Sequence, residues 1–219
     1  MGMILMVRHG QASWGAADYD ALSDVGVEQA RLLGVALAER GITPTSVVHG
    51  GMRRHAQTWA GMASGAGWAV DPIVDPGWAE YDHDDVLARV EPPATAVSGE
   101  MSPREVQAWV EAGTDRWIAG GDDYRESFST FTDRVDEALA RTPRQGTVVV
   151  VTSGGPIALV TAGLLTTAVS ERTALWQRLN IVCSNTGATR LITGRRGLSL
   201  VTFNEDTHLD RVPQLRTYR

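Results

Sequence analysis

Residues 3–14 read MILMVRHGQASW. Met3 to Val7 is an unbroken apolar run of strand length, and Arg8, His9 and Gly10 follow with no transition. In open α/β sheets, ligands bind beyond the carboxyl ends of the strands, so a cation, an imidazole and a glycine placed there face a binding edge. Arginine offers planar paired donors suited to phosphate, and histidine can act as nucleophile, base or metal ligand. Glycine lets the backbone approach a ligand closely. Alone, the tripeptide fits a capped strand end equally well.

The rest of the chain gives that strand a setting. Ser23 or Asp24 can cap a helix carrying Leu32, Leu33, Ala36 and Leu37 on one face and ending at Gly41. Thr45–Val48 reads as a second strand, and MRRHAQTWAGMA (52–63) continues as a helix. Strand, helix, strand, helix predicts an α/β fold with a mostly parallel central sheet covered on both faces. Between Asp82 and Arg125 the periodicity weakens and breaks at Pro92-Pro93. A capping box at Ser102 and Glu105, with Pro103 at the first helical position, then starts a helix through Trp109 to about Ile118. This segment reads as an insertion, or lid, at about 82–125 within a single domain spanning 1–219. Phe128, Phe131, Val135 and Leu139 mark an amphipathic helix that stops before Pro143. TVVVVTSGG (147–155) is the most buried-looking strand and feeds a helix with Pro156 near its start. TGATRLITG and LSLVTFN, separated by GRRG, predict a hairpin near the end.

Composition narrows the function classes. The 219 residues are 43% apolar and 21% charged, with a net charge of −6 and no charge runs, which argues against nucleic acid or an anionic membrane as partner. An anionic small substrate then needs a local cationic pocket. One cysteine, Cys183, excludes an internal disulfide. The short first apolar run, with no basic segment before it, does not resemble a signal peptide, and cytoplasmic residence is the default expectation. Self-association is left open.

Three further stretches bring chemistry to the same sheet edge. In HGGMRRHAQTW (49–59), Arg53 and Arg54 open a helix after two glycines; Arg53 reads as solvated, whereas Arg54 can point back towards Arg8. Glu80, in DPGWAEYDHDD (75–85), is a carboxylate able to overhang the pocket, while Asp82, Asp84 and Asp85 read as solvated rather than as a metal site. In TSGG (152–155), Ser153 and two glycines end the central strand, and amides at a helix start suit an anion.

In this order the motifs resemble the histidine phosphatase superfamily, with its three-layer, phosphoglycerate mutase-like sandwich. Arg8-His9-Gly10 follows the first strand, GMRRHAQT resembles S-P-L-x-R-A-x-Q-T, WAEYD resembles L-x-E, and TSGG resembles S-H-G-G. YDALSDVGVEQARLLG and ESFSTFTDRV are also similar to segments of that family, so the resemblance spans nearly the whole chain. It implies a metal-independent phosphomonoesterase, with no cofactor, acting on a small phosphorylated molecule. His9 would be the nucleophile, Arg8 and Arg54 the phosphate clamp, Glu80 the acid and base, and Ser153 a further phosphate contact. The chemistry is sound: an imidazole with an ordinary pKa of about 6.5 is largely neutral at pH 7, and phosphoryl transfer asks mainly for positioning and charge stabilisation.

The sequence departs from that family at two places. Ser153 stands where the family carries a second histidine, exchanging a charge-assisted hydrogen bond for a neutral one at a cost on the order of 1.5–3 kcal/mol. Four histidines are candidates to replace it, His49, His55, His83 and His208, with His49 and His208 the first to inspect. Gln11 and Gly15 replace residues typical of the mutases, which favours a phosphatase over a mutase-type phosphotransferase. A phospholigand-binding protein that has lost turnover is the alternative from another class, although a binder has no need of a nucleophile or an acid. Trp14, Trp78 and Trp109 read as packing residues that could also line an apolar pocket.

Overall fold

The computed structural model describes residues 2–13, 20–93, 95, 101–121 and 123–218. Trp14 and Gly15 lie outside them. The described chain divides into two compact units, residues 1–80 with 135–219, and Tyr81–Arg134. The segment read as an insertion falls within the second.

The larger unit is built on a six-stranded sheet of order β3-β2-β4-β1-β5-β6. Its strands are β1 (Gly2–Arg8), β2 (Ser46–His49), β3 (Ile73–Val74), β4 (Thr147–Thr152), β5 (Ala188–Gly194) and β6 (Gly197–Glu205). The β3-β2, β2-β4 and β4-β1 pairings are parallel, and β1-β5 and β5-β6 are antiparallel. The valine run is central because it can be buried on both faces: Val148, Val149, Val150 and Val151 are all fully buried. Leu5, Val7, Val47, Val149 and Val151 pack with Leu33, Leu37, Trp59 and Met62 of α1 (Asp24–Glu39) and α2 (Arg53–Ala66). Each such side chain contributes about 1.5–3 kcal/mol on burial. Alternate residues Ile4, Met6 and Val150 are buried too, and α6 (Gly154–Leu165) packs on β1 and β6.

Register places the site. Arg8 pairs with Thr152 and Val151 with both Val7 and His49, so β1 and β4 end level and β2 ends one residue short of them. His9, Ser153 and Gly50 are the next residues on the three strands. Two helices meet the expected caps: Ser23 accepts from the Gly26 amide at the start of α1, and Ser102 and Glu105 form the capping box of α4 (Pro103–Ala119).

The second unit also holds α3 (His83–Leu87) and the first part of α5 (Phe128–Arg141), within which the division falls. Its centre is aromatic. Trp117 lies 4.6 Å from Tyr81, 5.1 Å from Phe128 and 5.5 Å from Phe131, centroid to centroid. α7 (Val169–Val182) carries no apolar stripe, and among its residues only Trp176 is buried, so the sequence pattern does not announce it. Among the described residues no helix is long and apolar enough to cross a membrane.

Candidate active site

His9 is the fixed point. Its backbone N–H donates to Thr152 O at 2.9 Å, and Asn185 Nδ2 donates to its carbonyl at 3.0 Å. The ring is buried. Nδ1 lies 2.7 Å from Gly10 O, which can only accept, so Nδ1 carries the proton. Nε2 is left with its lone pair, and Arg54 Nε donates to it at 3.2 Å. Burial, then the charges of Arg8 and Arg54 and the nearby His55, hold the imidazolium well below its ordinary range. The ring is therefore neutral, with its Nε2 lone pair accepting from a guanidinium.

The segment after it is pinned by side chains of two helices. Thr58 Oγ1 accepts from Gly10 N at 3.0 Å, Gln29 Oε1 from Gln11 N at 2.8 Å, and Gln57 Oε1 from Leu22 N at 2.8 Å. Gly10 is required by close approach: a Cβ there would sit 2.4 Å from Gly26 O.

Arg54 is buried on α2, whereas Arg53 is exposed, as the sequence reading expects. Arg54 Nη1 donates to Asp20 Oδ1 at 2.7 Å, and Asp20 Oδ2 accepts the Arg53 amide at 2.8 Å. Asp20 thus aligns the guanidinium and supplies the amide acceptor that Met52, the N-cap of α2, lacks. Arg8 Nη1 donates to Tyr218 O at 2.8 Å and to Cys183 O. Burial pushes the Cys183 thiol up to about 12, with Arg8 opposing and Glu80 reinforcing the shift.

Glu80 follows a 3-10 turn at Pro76–Trp78 and accepts the Gly155 amide on Oε2 at 3.1 Å. A Cβ on Gly155 would lie 2.2 Å from Glu80 Oε1, so the glycine leaves room for the carboxylate. Gly155 O in turn accepts from Trp176 Nε1 at 3.0 Å, which ties α7 to this turn. Trp78 is fully buried, and its carbonyl accepts from Thr152 Oγ1 at 2.5 Å; it is packing rather than pocket lining.

The histidines sort differently from the order in which the sequence recommends inspecting them. His49 Nδ1 accepts from Gly51 N at 3.1 Å, and His208 Nε2 lies 2.9 Å from Thr186 Oγ1. His83 sits against Tyr81 at 4.1 Å. It is His55 that meets Ser153, Nε2 to Oγ at 2.8 Å, with its ring centroid 5.6 Å from that of His9. The helix explains why: His55 follows Arg54 in the first turn of α2, and both are buried there. Asp20, Asn185 and Thr58 were not singled out from sequence. They act through hydrogen bonds spanning 34, 176 and 48 residues.

The acidic stretch after Glu80 is held by arginines. Asp82 Oδ2 meets Arg125 at 3.0 Å and Asp85 Oδ1 meets Arg89 at 2.9 Å. Among the described residues no group of three or more histidines, cysteines or carboxylates is placed to hold a metal ion.

A histidine at the end of β1, an arginine on its Nε2 and a carboxylate at the amide turn after β4 thus stand at one edge of the sheet. A family model for the histidine phosphatase superfamily (branch 1) matches residues 4–206, and the chain belongs to that superfamily. No curated protein matches it in sequence. Among solved structures it is similar to a mutant phosphoserine phosphatase from Entamoeba histolytica in complex with phosphoserine (18% identity, 95% of this chain and 100% of that one, TM-score 0.64). It is similar also to a mycobacterial glucosyl-3-phosphoglycerate phosphatase (22% identity, 92% and 98%, TM-score 0.63). A phosphoglycerate mutase from Bacillus anthracis str. Sterne shares 16% identity over 95% of each chain, with TM-score 0.66. These likenesses establish the phosphoglycerate mutase-like fold.

Proposed function

We propose that the protein is a metal-independent phosphomonoesterase that hydrolyses a small phosphorylated molecule through a phosphohistidine at His9. The observation that carries this reading is the His9 tautomer, with Nδ1–H on Gly10 O and the Nε2 lone pair beside Arg54.

In the first step Nε2 attacks phosphorus, the bond from phosphorus to the ester oxygen breaks, and Glu80 gives its proton to the departing oxygen. Arg54 moves its Nε–H from His9 to a phosphoryl oxygen. Arg8 and the amide at the start of α6 add positive potential where charge accumulates. In the second step water attacks the phosphohistidine, Glu80 takes the water's proton, the P–N bond breaks, and phosphate leaves. His9 regains its lone pair and Glu80 its proton, so the cycle closes.

The test is turnover of an aryl phosphate in EDTA by the wild type and His9→Ala. Rapid acid-free quenching would trap an alkali-stable phosphoprotein. Turnover and phosphoprotein in the wild type, both absent in His9→Ala, are expected; hydrolysis that survives His9→Ala would sink the reading.

A further inference from the structure

Ser153 is the N-cap of α6, a place where serine normally accepts an amide from the first turn. Here it makes no such bond. The third residue of the helix is Pro156, which has no N–H, and the amide of the second, Gly155, goes to Glu80. Capping by the hydroxyl is thereby excluded, and its partner among the described residues is His55 Nε2 at 2.8 Å.

The His55 ring is fully buried and its Nδ1 meets no partner. That orphan decides the tautomer. A proton on Nδ1 would be a buried donor with nothing to bond, whereas a proton on Nε2 is donated to Ser153 Oγ. Burial, with Arg54 and His49 nearby, also keeps the ring neutral. A hydroxyl has one proton and two lone pairs. With a lone pair engaged by His55, the Ser153 proton is left to donate elsewhere. Ser153 follows Thr152, whose carbonyl holds the His9 amide, and the rings of His9 and His55 are neighbours.

We infer that His55 is a positioning residue for phosphoryl transfer: its Nε2–H holds the Ser153 hydroxyl so that the hydroxyl proton is presented to the phosphoryl group on His9. The inference rests on the proposed phosphohistidine chemistry. His55 contributes orientation, not charge, and Ser153 makes the contact.

The test uses Ser153→Ala, His55→Leu, their double variant and His55→Gln, each assayed below its melting temperature. Glutamine can put an N–H where the imidazole Nε2–H stood, and leucine cannot. With an aryl phosphate, kcat should fall about tenfold to a hundredfold in Ser153→Ala and His55→Leu. The double variant should be no worse than Ser153→Ala, and His55→Gln should recover most of kcat. Multiplying losses in the double variant, or an unchanged kcat in His55→Leu, would overturn the inference. If the wild type itself does not turn over, the phosphohistidine reading fails first. The rise in melting temperature with inorganic phosphate then decides: reduced in His55→Leu and Ser153→Ala but kept in His55→Gln supports the inference, and an equal rise in all overturns it. Nitrogen-15 NMR of the wild type needs no variant to fold: Nε2–H at His55 supports the inference, and Nδ1–H overturns it.

Discussion

Asp20 holds Arg54 by its Nη1 at 2.7 Å, leaving Nε of the same guanidinium directed at His9. The arginine is thus aligned before any phosphate arrives, and its charge is partly neutralised by a carboxylate that stays about two-fifths exposed.

Asp20→Asn deletes the negative charge and keeps one acceptor oxygen, which can serve Arg54 or the Arg53 amide but not both. An exposed charge of this kind is worth at most about 1 kcal/mol, so KM for a dianionic aryl phosphate should fall by roughly threefold to fivefold. The gain should shrink in high salt, because screening acts on the same interaction. A KM that rises, or a change indifferent to salt, would show that Asp20 matters only as scaffold.

The neutral state of His9 predicts a pH profile. A group whose imidazolium lies well below 6.5 stays unprotonated as pH falls through the ordinary histidine range. After correction for the substrate's own ionisation, the acid limb of kcat/KM should therefore have its midpoint below pH 6.5. The His9 ring titration, followed by NMR, should coincide with that limb. A His9 titration centred at or above 6.5 contradicts the assignment.

Stability should follow pH for the same reason, in a direction that can be worked out. His9, His49, His55 and His208 are all depressed by burial, His208 to about 4. Below about 6.5 the unfolded chain takes up protons that the folded chain refuses, so unfolding becomes easier as pH falls. The melting temperature should decline from pH 7 to pH 4. His208→Gln should flatten the decline between 6.5 and 4 once its own offset at pH 7 is subtracted. An unchanged slope would mean that His208 is protonated in the fold.

Gly155→Ala puts a methyl where a Cβ lies 2.2 Å from Glu80 Oε1. The obstacle is the end of a flexible side chain, so the carboxylate shifts and the fold survives. General acid help is worth roughly a hundredfold or more, and most for a leaving oxygen that needs a proton. The variant should lose about that factor with an alkyl phosphate and much less with a nitrophenyl phosphate. Equal losses on both esters would show that Glu80 does not protonate the leaving group.

The contrast between what was and was not legible in the sequence follows from distance along the chain. Local chemistry was readable: the valine run, Pro156, Ser23 and the Ser102–Glu105 box each announce themselves within a few residues, and the elements stand where these signals put them. Arg54 could be separated from Arg53 because one turn of helix can aim only part of its circumference inward. Two things were hidden. α7 has no stripe, because it buries little beyond Trp176, so there was no period to detect. The contact of His55 with Ser153 had no local signal, because the two lie 98 residues apart and the pairing of β2 with β4 brings them together.

Asn185 shows how a residue with no chemistry of its own can govern the site. Its Nδ2 donates to the His9 carbonyl at 3.0 Å, its Oδ1 accepts from Thr217 Oγ1 at 2.8 Å, and it is fully buried. The next residue, Thr186, holds a left-handed backbone (φ 58°) and donates its amide to Arg8 O at 3.0 Å, so this turn carries the end of β1. Asn185→Ala should cost about 2–3 kcal/mol, since it leaves the buried His9 carbonyl with only the 3.4 Å Thr186 amide and takes the acceptor from the part-buried Thr217 hydroxyl. For a chain of this size that lowers the melting temperature by roughly 4–12 °C. Asn185→Asp is the sharper test. It preserves the shape but turns a carboxylate oxygen towards the His9 carbonyl, replacing a donor by an acceptor where only a donor can bond. It should destabilise at least as much as alanine at pH 7, and its deficit should shrink as the pH falls far enough to protonate the carboxyl. Calorimetric melting of both variants at pH 7 and pH 5 checks the order; an aspartate variant more stable than alanine at pH 7 would mean that the His9 carbonyl does not depend on this bond.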